Sequence, residues 1–266
     1  MATTATPIFI FSAGWRSGST LLQRLLTASN ELLIWGEAGG ALGSLAEVEL
    51  GYRQMLAPGE VIFKNGLGGN GAQQYEEFRK NGKDAVHKWI ACLNAPFETI
   101  HSAFHAFMEG VYARPAAELG YPRWSVKEVR CGLAITEFLR TLYPGAKFVF
   151  LLRHPMECLS SLKRHGWMDR PNDPRALEFY ARHWVRLAGE FRQAPFGMRI
   201  RHEDLVSDPS VLEKLRDYLE MQHIDDGFIA HSRVKGGVKN DLSLDWRERL
   251  RAKRIVGKEM QHHGYE

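Results

Sequence analysis

The sequence predicts a three-layer α/β fold in which a central parallel sheet lies between helices. Ile8–Phe11 is a run of four apolar residues typical of a short buried strand, and Lys147–Leu152 is rich in β-branched and aromatic residues. Such runs alternate along the chain with longer stretches of helical periodicity, the order that builds a parallel sheet. At 266 residues, 44% of them apolar and 25% charged, the chain is long enough for one α/β domain with insertions.

The first half begins with a strand over 7–12, a Gly/Ser/Thr turn and a helix over about 19–29 that opens with apolar periodicity. A second strand over 32–35 is ended by the glycines of 36–40, and a helix follows through the mid-50s. Residues 58–72 are rich in glycine and predict a mobile loop, whereas helical patterns cover much of 73–118.

In the second half of the chain, predicted strands and helices alternate again after Pro122. The pattern predicts strands over 124–127, 147–152 and 198–201. It predicts helices over 132–143, 155–165, 174–192, from about 210 to 220, and 244–262. Pro144–Gly145 ends the first of these helices, Pro155 suits the first turn of the second, and Ser207 or Asp208 can cap the helix that ends at Glu220.

The segment from Ser12 to Thr20, SAGWRSGST, has the composition of an anion-binding turn. A strand, a tight turn and a helix N-terminus together direct unsatisfied N–H groups and the positive end of the helix dipole at whatever lies above the turn. Arg16 adds a forked, permanently charged donor that suits a phosphate or a sulfate. The lysine of the nucleotide-hydrolase loop GxxxxGK[ST] is missing, because Ser19 follows the second glycine, Gly18.

A second candidate anion site follows the strand over 147–152. Arg153 stands at the carboxyl end of that strand, where open α/β sheets bind ligands, and Pro155 starts a new helix. Ser161 follows on that helix, eight residues after Arg153. The pair predicts a second set of hydrogen-bond donors for an anion.

These motifs resemble those of the sulfotransferases that use 3′-phosphoadenosine 5′-phosphosulfate (PAPS), in the branch of bacterial small-molecule and tyrosylprotein enzymes. Their phosphosulfate loop commonly reads GxPRSGTTLL, and this chain has RSGSTLL over 16–22, with Trp15 in place of proline and Ser19 in place of threonine. They also carry an Arg–Ser pair at the spacing of Arg153 and Ser161, which binds the nucleotide 3′-phosphate. The resemblance implies a P-loop-like fold, PAPS as donor, 3′-phosphoadenosine 5′-phosphate (PAP) as product, and no metal. It implies donor contacts from the loop residues Trp15, Arg16, Ser17, Gly18, Ser19 and Thr20.

The same resemblance implies two catalytic residues besides Arg16, which would stabilise charge on the phosphate oxygens. A glutamate after the second strand is the general base in this branch, and Glu37 occupies that place. Lys127 matches a lysine that reaches the sulfuryl group, although Glu128–Val129 follows it where Thr/Asp–Pro is usual, and a structural ion pair is an equal interpretation of it. Because sulfotransferases of the cytosolic type use a histidine base, His87, His101 and His105 stay open as alternatives to Glu37.

Towards the C-terminus, Lys235 and Gly236 resemble the basic glycine loop that closes over the 3′-phosphate, while a plain turn is the alternative. We therefore expect one sulfotransferase domain over 1–266, with 41–119 as a mainly helical insertion that shapes the acceptor pocket. A GxGxxG match over 66–71 lacks the helix and the carboxylate of a dinucleotide site, and we interpret it as a lid or substrate loop.

Charge and cysteine content limit the partners and the location. The net charge of +4 without a basic run argues against nucleic-acid binding and suits a polyanionic donor. Three widely spaced cysteines predict neither a disulfide framework nor a metal site, so we expect a cytoplasmic protein with no membrane segment. The expected partner is a small acceptor with a hydroxyl or an amine, and the oligomeric state stays open. The alternatives are a P-loop kinase-like nucleotide enzyme, which needs magnesium and the missing lysine, and a non-catalytic nucleotide-binding protein.

Overall fold

A computed structural model of the chain describes residues 6–56, 71–87, 90, 93–168, 170, 173–230 and 244–266. Within these residues, one parallel sheet is formed by β1 (Ile8–Ser12), β2 (Leu32–Trp35), β3 (Arg123–Glu128), β4 (Lys147–Leu152) and β5 (Met198–Arg201). The strands lie in the order β2–β3–β1–β4–β5. The predicted α/β class with a parallel sheet is confirmed.

The chain divides into two compact units, Met1–Gly40 with Tyr112–Glu266, and Ala41–Val111. The first unit contains the sheet. It also contains the helices α1 (Ser19–Thr27), α5 (Arg114–Glu118), α6 (Leu133–Leu142), α7 (Pro155–Arg164), α8 (Pro174–Gln193), α9 (His202–Ser207), α10 (Pro209–Leu219), α11 (Gly227–Ala230) and α12 (Trp246–His262). The second unit is helical in its described residues, with α2 (Ala41–Leu56), α3 (Gly71–Asn81), a 3₁₀ helix (Gly82–His87) and α4 (Phe97–Met108); a π-helical turn (Glu109–Ala113) follows at the boundary.

The two faces of the sheet are filled by different side chains. Ile8 and Ile10 of β1 belong to an aliphatic cluster that includes Leu22 of α1 and Leu215 of α10. The alternate residues of β1 and β4 point to the opposite face and form an aromatic cluster. Its members are Phe9, Phe11, Trp124, Tyr143, Phe148, Phe150, Phe191 and Phe196. Burial on both faces explains why β1 and β4 are apolar at nearly every position.

The strand order brings the candidate residues to one edge of the sheet. In the parallel register, Ile10 of β1 lies opposite Lys127 on one side and Val149 on the other, and Trp35 of β2 lies opposite Val126. The carboxyl ends of β2, β3, β1 and β4 therefore meet at the same edge, where the loops after these strands begin. The chain builds β2 and β3 on one side of β1 before it crosses to β4, so this edge is also a topological switch point.

Most of the expected elements are found within a few residues of their predicted bounds. The segment His202–Ser207 differs from expectation, because it forms the short helix α9 before α10. Asp208 caps α10 by accepting a hydrogen bond of 2.9 Å from the backbone N–H of Ser210, which is the predicted role for this carboxylate. None of the described helices has the length and apolar character needed to cross a bilayer.

Candidate active site

The loop between β1 and α1 turns sharply through left-handed backbone conformations. Gly14, Arg16 and Gly18 have φ angles of 87°, 62° and 90°. Glycine adopts such angles readily, whereas for a residue with a Cβ the same conformation costs about 1–2 kcal/mol. A Cβ at Gly18 would lie 2.2 Å from Nδ1 of His202. Position 18 therefore requires glycine both for its backbone angle and for its contact with α9.

Helix α1 begins directly after this turn, with Gly18 as its N-cap. The N–H of Leu22 donates to the carbonyl oxygen of Gly18 at 3.2 Å, which closes the first turn. The N–H groups ahead of it, on Ser19 and Thr20, have no carbonyl one turn earlier in the helix. Ser19 is buried and Thr20 is exposed. The loop and the helix start thus have the geometry of an anion cradle.

The two candidate anion sites are in direct contact. Arg16 donates from Nε to the hydroxyl oxygen of Ser161 at 3.0 Å. Arg153 donates from its guanidinium to the backbone carbonyl oxygen of Arg16, also at 3.0 Å. Residues that are more than 130 positions apart in the sequence therefore form one cluster at the carboxyl ends of β1 and β4.

Positive charge is concentrated in this cluster. Burial lowers the pKa of Arg16, and the nearby charge of Arg153 lowers it further. An anion placed between the two guanidinium groups would relieve their mutual repulsion. Cys158 lies beneath them and donates from Sγ to the carbonyl oxygen of Arg16 at 3.7 Å; burial raises the pKa of this thiol to about 12. The thiol is therefore neutral at physiological pH and acts as a packing residue.

Three buried polar atoms in or next to the loop have no hydrogen-bond partner within the described ranges. They are the hydroxyl oxygens of Ser12 and Ser17, both fully buried, and Nδ1 of His202. Burial lowers the pKa of His202, and the charge of Arg153 acts in the same direction. Unpaired buried polar groups are costly, and they are retained chiefly where a ligand or a water completes them.

Glu37 lies at the same edge of the sheet, in the loop after β2. Its carboxylate accepts from Nζ of Lys127 at 3.2 Å and from the guanidinium of Arg130 at 3.1 Å. The Lys127 side chain is 6% exposed and that of Glu37 is 27% exposed. The pairing of β2 with β3 explains the contact with Lys127, since Glu37 follows the end of β2 and Lys127 lies near the end of the neighbouring β3. The lysine does form an ion pair, and its partner is the candidate base.

Arg130 is a residue that sequence reasoning missed. Besides its bond to Glu37, it places its guanidinium 5.3 Å from the ring centre of Trp15. The available signal was its position two residues beyond the end of β3, at the edge where polar residues of neighbouring strands meet. That signal becomes useful only once β2 and β1 are known to flank β3.

Trp15 packs within a group of aromatic side chains from α8. Its ring lies 4.7 Å from that of His183 and 5.2 Å from that of Tyr180. Nε2 of His183 lies 3.0 Å from the carbonyl oxygen of Val129, which can only accept, so Nε2 carries a proton. The tryptophan that replaces the usual proline thus connects the loop to α8 and to the loop after β3.

Some candidate residues belong to the second unit or lie outside the described residues. Lys235, Gly236 and the stretch 66–70 of the GxGxxG match lie outside them. The alternative bases His87, His101 and His105 belong to the second unit. Within the described part of the chain, no group of three or more His, Cys, Asp and Glu side chains is arranged to hold a metal ion.

Comparison with solved structures shows the same architecture. The chain resembles a sulfotransferase domain from the curacin biosynthetic pathway, with a TM-score of 0.54 at 19% identity over 99% of both chains. It also resembles the sulfotransferase domain of the Synechococcus PCC 7002 olefin synthase, with a TM-score of 0.50 at 19% identity over 100% of this chain and 98% of that one. For sulfotransferase STF9 from Mycobacterium avium the TM-score is 0.51 at 13% identity, over 100% of this chain and 78% of that one. At these identities the likeness shows the fold alone.

The sequence itself identifies the family. A search of curated proteins finds no significant match. A sequence model of the sulfotransferase family, however, matches residues 7–226, which is more than four-fifths of the chain and includes the loop, Glu37, Lys127, Arg153 and Ser161. The chain therefore belongs to the sulfotransferase family.

Proposed function

We propose that this protein transfers a sulfuryl group from PAPS to a hydroxyl or an amine of a small acceptor, with Glu37 as general base. The observation that carries the proposal is the contact between the two anion sites, in which Arg16 reaches Ser161 and Arg153 reaches the loop. A nucleoside with phosphate groups at both its 5′ and 3′ positions can contact two sites that lie this close together.

The residues present suit such a donor. The start of α1 offers N–H groups, and Ser17 keeps a buried hydroxyl without a partner among the described residues. Arg16 and Arg153 supply two permanent positive charges for a donor that carries several negative ones. This is the donor set expected for phosphate and sulfate oxygens.

In the proposed reaction the donor supplies a sulfuryl group bonded to a phosphate oxygen. The loop residues from Trp15 to Thr20 bind the 5′-phosphate and the sulfate, and Arg16 stabilises the charge that grows on the bridging oxygen. Arg153, Ser161, Lys235 and Gly236 bind the 3′-phosphate. By analogy with phosphoryl transfer, the protein acts mainly through positioning and charge stabilisation.

Glu37 accepts the proton of the acceptor hydroxyl or amine while the acceptor atom bonds to sulfur and the bond from sulfur to the phosphate oxygen breaks. A general base of this kind contributes about 10²–10⁴-fold to the rate. Lys127, 3.2 Å from the Glu37 carboxylate, holds it in place and offers a positive charge to the sulfuryl oxygens.

We assign acceptor binding to the insertion over 41–119. Within the second unit, an apolar cavity of about 310 Å³ is lined by Leu45, Tyr52, Ile100, Ala103, Phe104 and Phe107. A lining of this kind suits the apolar part of a small metabolite. A cytoplasmic location and a role in secondary metabolism complete the proposal.

Thermal unfolding with PAP, with ATP and Mg²⁺, and without ligand tests the donor. PAP at about 100 times its dissociation constant adds about 2.7 kcal/mol to the free energy of unfolding. We expect PAP to raise the melting temperature more than ATP with Mg²⁺ does. A larger rise with ATP and Mg²⁺ would instead favour a kinase-like enzyme.

Transfer of ³⁵S from labelled PAPS to a fixed mixture of phenols, alkanols and amines tests the reaction. We expect the natural protein to transfer the label. We expect Glu37→Ala to lose this transfer while its PAP binding stays unchanged. Binding of PAP without any transfer would indicate a non-catalytic nucleotide-binding protein. Unaltered transfer by Glu37→Ala would remove this residue from the role of base.

A further inference from the structure

Glu128 is a buried carboxylate that contacts the loop carrying Glu37. It is the last residue of β3 and is fully buried. Its Oε1 accepts from the backbone N–H of Ala38 at 2.9 Å and from that of Gly40 at 3.4 Å. Its Oε2 accepts from the N–H of Val129 at 3.3 Å. One side chain therefore binds the loop after β2 to the loop after β3.

The loop after β2 depends on this contact for its course. Gly39 and Gly40 have φ angles of 66° and 92°, so the chain makes a turn two residues after Glu37. A turn of this kind leaves backbone N–H groups without strand partners. Glu128 accepts from the N–H groups on both sides of Gly39, and so determines where the backbone next to Glu37 lies.

Arg130 holds the other end of the same residue. The Glu37 carboxylate uses one oxygen for Lys127 and the other for Arg130, at 3.2 and 3.1 Å. The Arg130 guanidinium also lies over the ring of Trp15, and its backbone carbonyl oxygen accepts from Arg186 of α8 at 3.3 Å. Arg130 is thus anchored both to the loop after β1 and to α8.

We propose that Glu128 and Arg130 are positioning residues that hold the Glu37 carboxylate in place, Glu128 through the backbone of Ala38 and Gly40, and Arg130 through Glu37 itself. This inference rests on the proposed role of Glu37 as base. It also explains why Glu128–Val129 follows Lys127, where the family usually has Thr/Asp–Pro. The carboxylate of Glu128 provides the anchor for a loop that carries two glycines.

The test is a double-mutant cycle on ³⁵S transfer from PAPS to the acceptor mixture, with the variants Glu128→Gln, Glu37→Ala and both together. Glutamine keeps the shape of the side chain but has only one oxygen to accept, so it cannot serve all three N–H groups. We expect transfer to fall about tenfold to hundredfold in Glu128→Gln, since small misplacement of a reacting group has effects of this size. PAP affinity should stay the same, because Arg16, Arg153 and Ser161 are untouched.

The cycle separates positioning from general weakening. If Glu128 acts through Glu37, adding Glu128→Gln to Glu37→Ala lowers the residual transfer no further. Glu259→Gln is the matched control, because this buried carboxylate binds Arg192 and His263 at the far end of α8 and α12. It should lower stability and leave transfer unchanged. A further fall of transfer in the double variant would overturn the proposal.

Hydrogen exchange gives a second readout that needs no acceptor. In Glu128→Gln the amides of Ala38 and Gly40 should exchange about tenfold faster than in the natural protein, relative to amides of β1. Unchanged exchange at both amides would overturn the proposal even if transfer falls. If the natural protein transfers no sulfuryl group, the proposed function fails, while exchange at these amides still decides whether Glu128 holds the loop.

Arg130→Gln keeps the test usable if Glu128→Gln does not fold, since the Arg130 side chain is 36% exposed. We expect the same pattern from it: lower transfer, unchanged PAP affinity, and no further loss when it is combined with Glu37→Ala. Arg130→Lys should keep part of the transfer that Arg130→Gln loses, because it keeps a positive charge near Glu37. Full transfer by Arg130→Gln would remove this residue from the proposal.

Discussion

At the scale of single residues, both the backbone angle and the packing at position 18 require glycine. Gly18→Ala would bring a methyl group to 2.2 Å from Nδ1 of His202. Gly120 is a matched control, because its φ of 85° is nearly the same and nothing lies within 4 Å of its absent Cβ. We expect Gly18→Ala to lower the free energy of unfolding by about 1–3 kcal/mol more than Gly120→Ala does, as overpacking usually does. Urea unfolding measures both values, and equal losses would contradict the importance of the His202 contact.

Arg153 should decide whether the protein distinguishes a 3′-phosphate. A hydrogen bond to a charged group is worth about 1.5–3 kcal/mol, so Arg153→Ala should weaken PAP binding about tenfold to hundredfold. Binding of adenosine 5′-phosphate, which lacks the 3′-phosphate, should change much less. Calorimetric titration with both nucleotides measures this difference. Arg164→Ala, which removes the same charge from an exposed position at the end of α7, should leave both affinities unchanged.

His183 should make stability depend on pH. Burial lowers the pKa of this imidazole below its usual value, an effect that its hydrogen bond to Val129 only partly opposes. The unfolded chain therefore binds a proton at pH values where the folded protein does not, so stability falls as the pH drops through about 6.5. In His183→Gln, whose amide can still donate to Val129, the free energy of unfolding should fall less between about pH 7.5 and 5.5.

At the scale of elements, α12 supports the helix that carries Ser161. Lys163 of α7 is 7% exposed and donates to both carboxylate oxygens of Glu248, each at 2.7 Å. Glu248 also closes a capping box with Asp245 at the start of α12. One carboxylate therefore fixes the first turn of α12 and joins it to α7.

Glu248→Ala would leave the ammonium group of Lys163 buried without its partner. Removal of one member of a buried pair typically costs about 3–5 kcal/mol. We expect a loss of that size in urea unfolding, with most of it regained in Lys163→Met/Glu248→Met, where no charge is left buried. A double variant as unstable as Glu248→Ala would show that the loss comes from the capping box instead.

Elements that depend on local pattern were the ones that sequence reasoning predicted well. The apolar runs of β1 and β4 were predictable from neighbouring residues, because both faces of these strands are buried. The Gly–Trp–Arg–Ser–Gly turn was predictable in the same way, because it needs glycine at position 18. Helix α9 was missed because its sequence, HEDLVS, shows a single buried apolar residue, Leu205, and so has no helical periodicity.

At the scale of the whole molecule, the site could be predicted only as separate pieces. Glu37 and Lys127 were proposed independently, and their contact follows from the pairing of β2 with β3, which no local pattern reveals. The roles of Glu128 and Arg130 depend on that same pairing. Their side chains act on residues about 90 positions away, so their partners could not be found before the strand order was known.

The two faces of the sheet are filled by different kinds of side chain, and this fixes where the turn after β1 lies relative to its neighbours. Isoleucine and phenylalanine alternate along β1, with the aliphatic side chains on one face and the rings on the other. A slip of one position against β4 would drive phenyl groups into a layer shaped for branched aliphatic chains, and branched chains among the rings. Such a slip would therefore cost much of the packing free energy. Core packing several residues away thus fixes the position of the Arg16 guanidinium relative to the Ser161 hydroxyl.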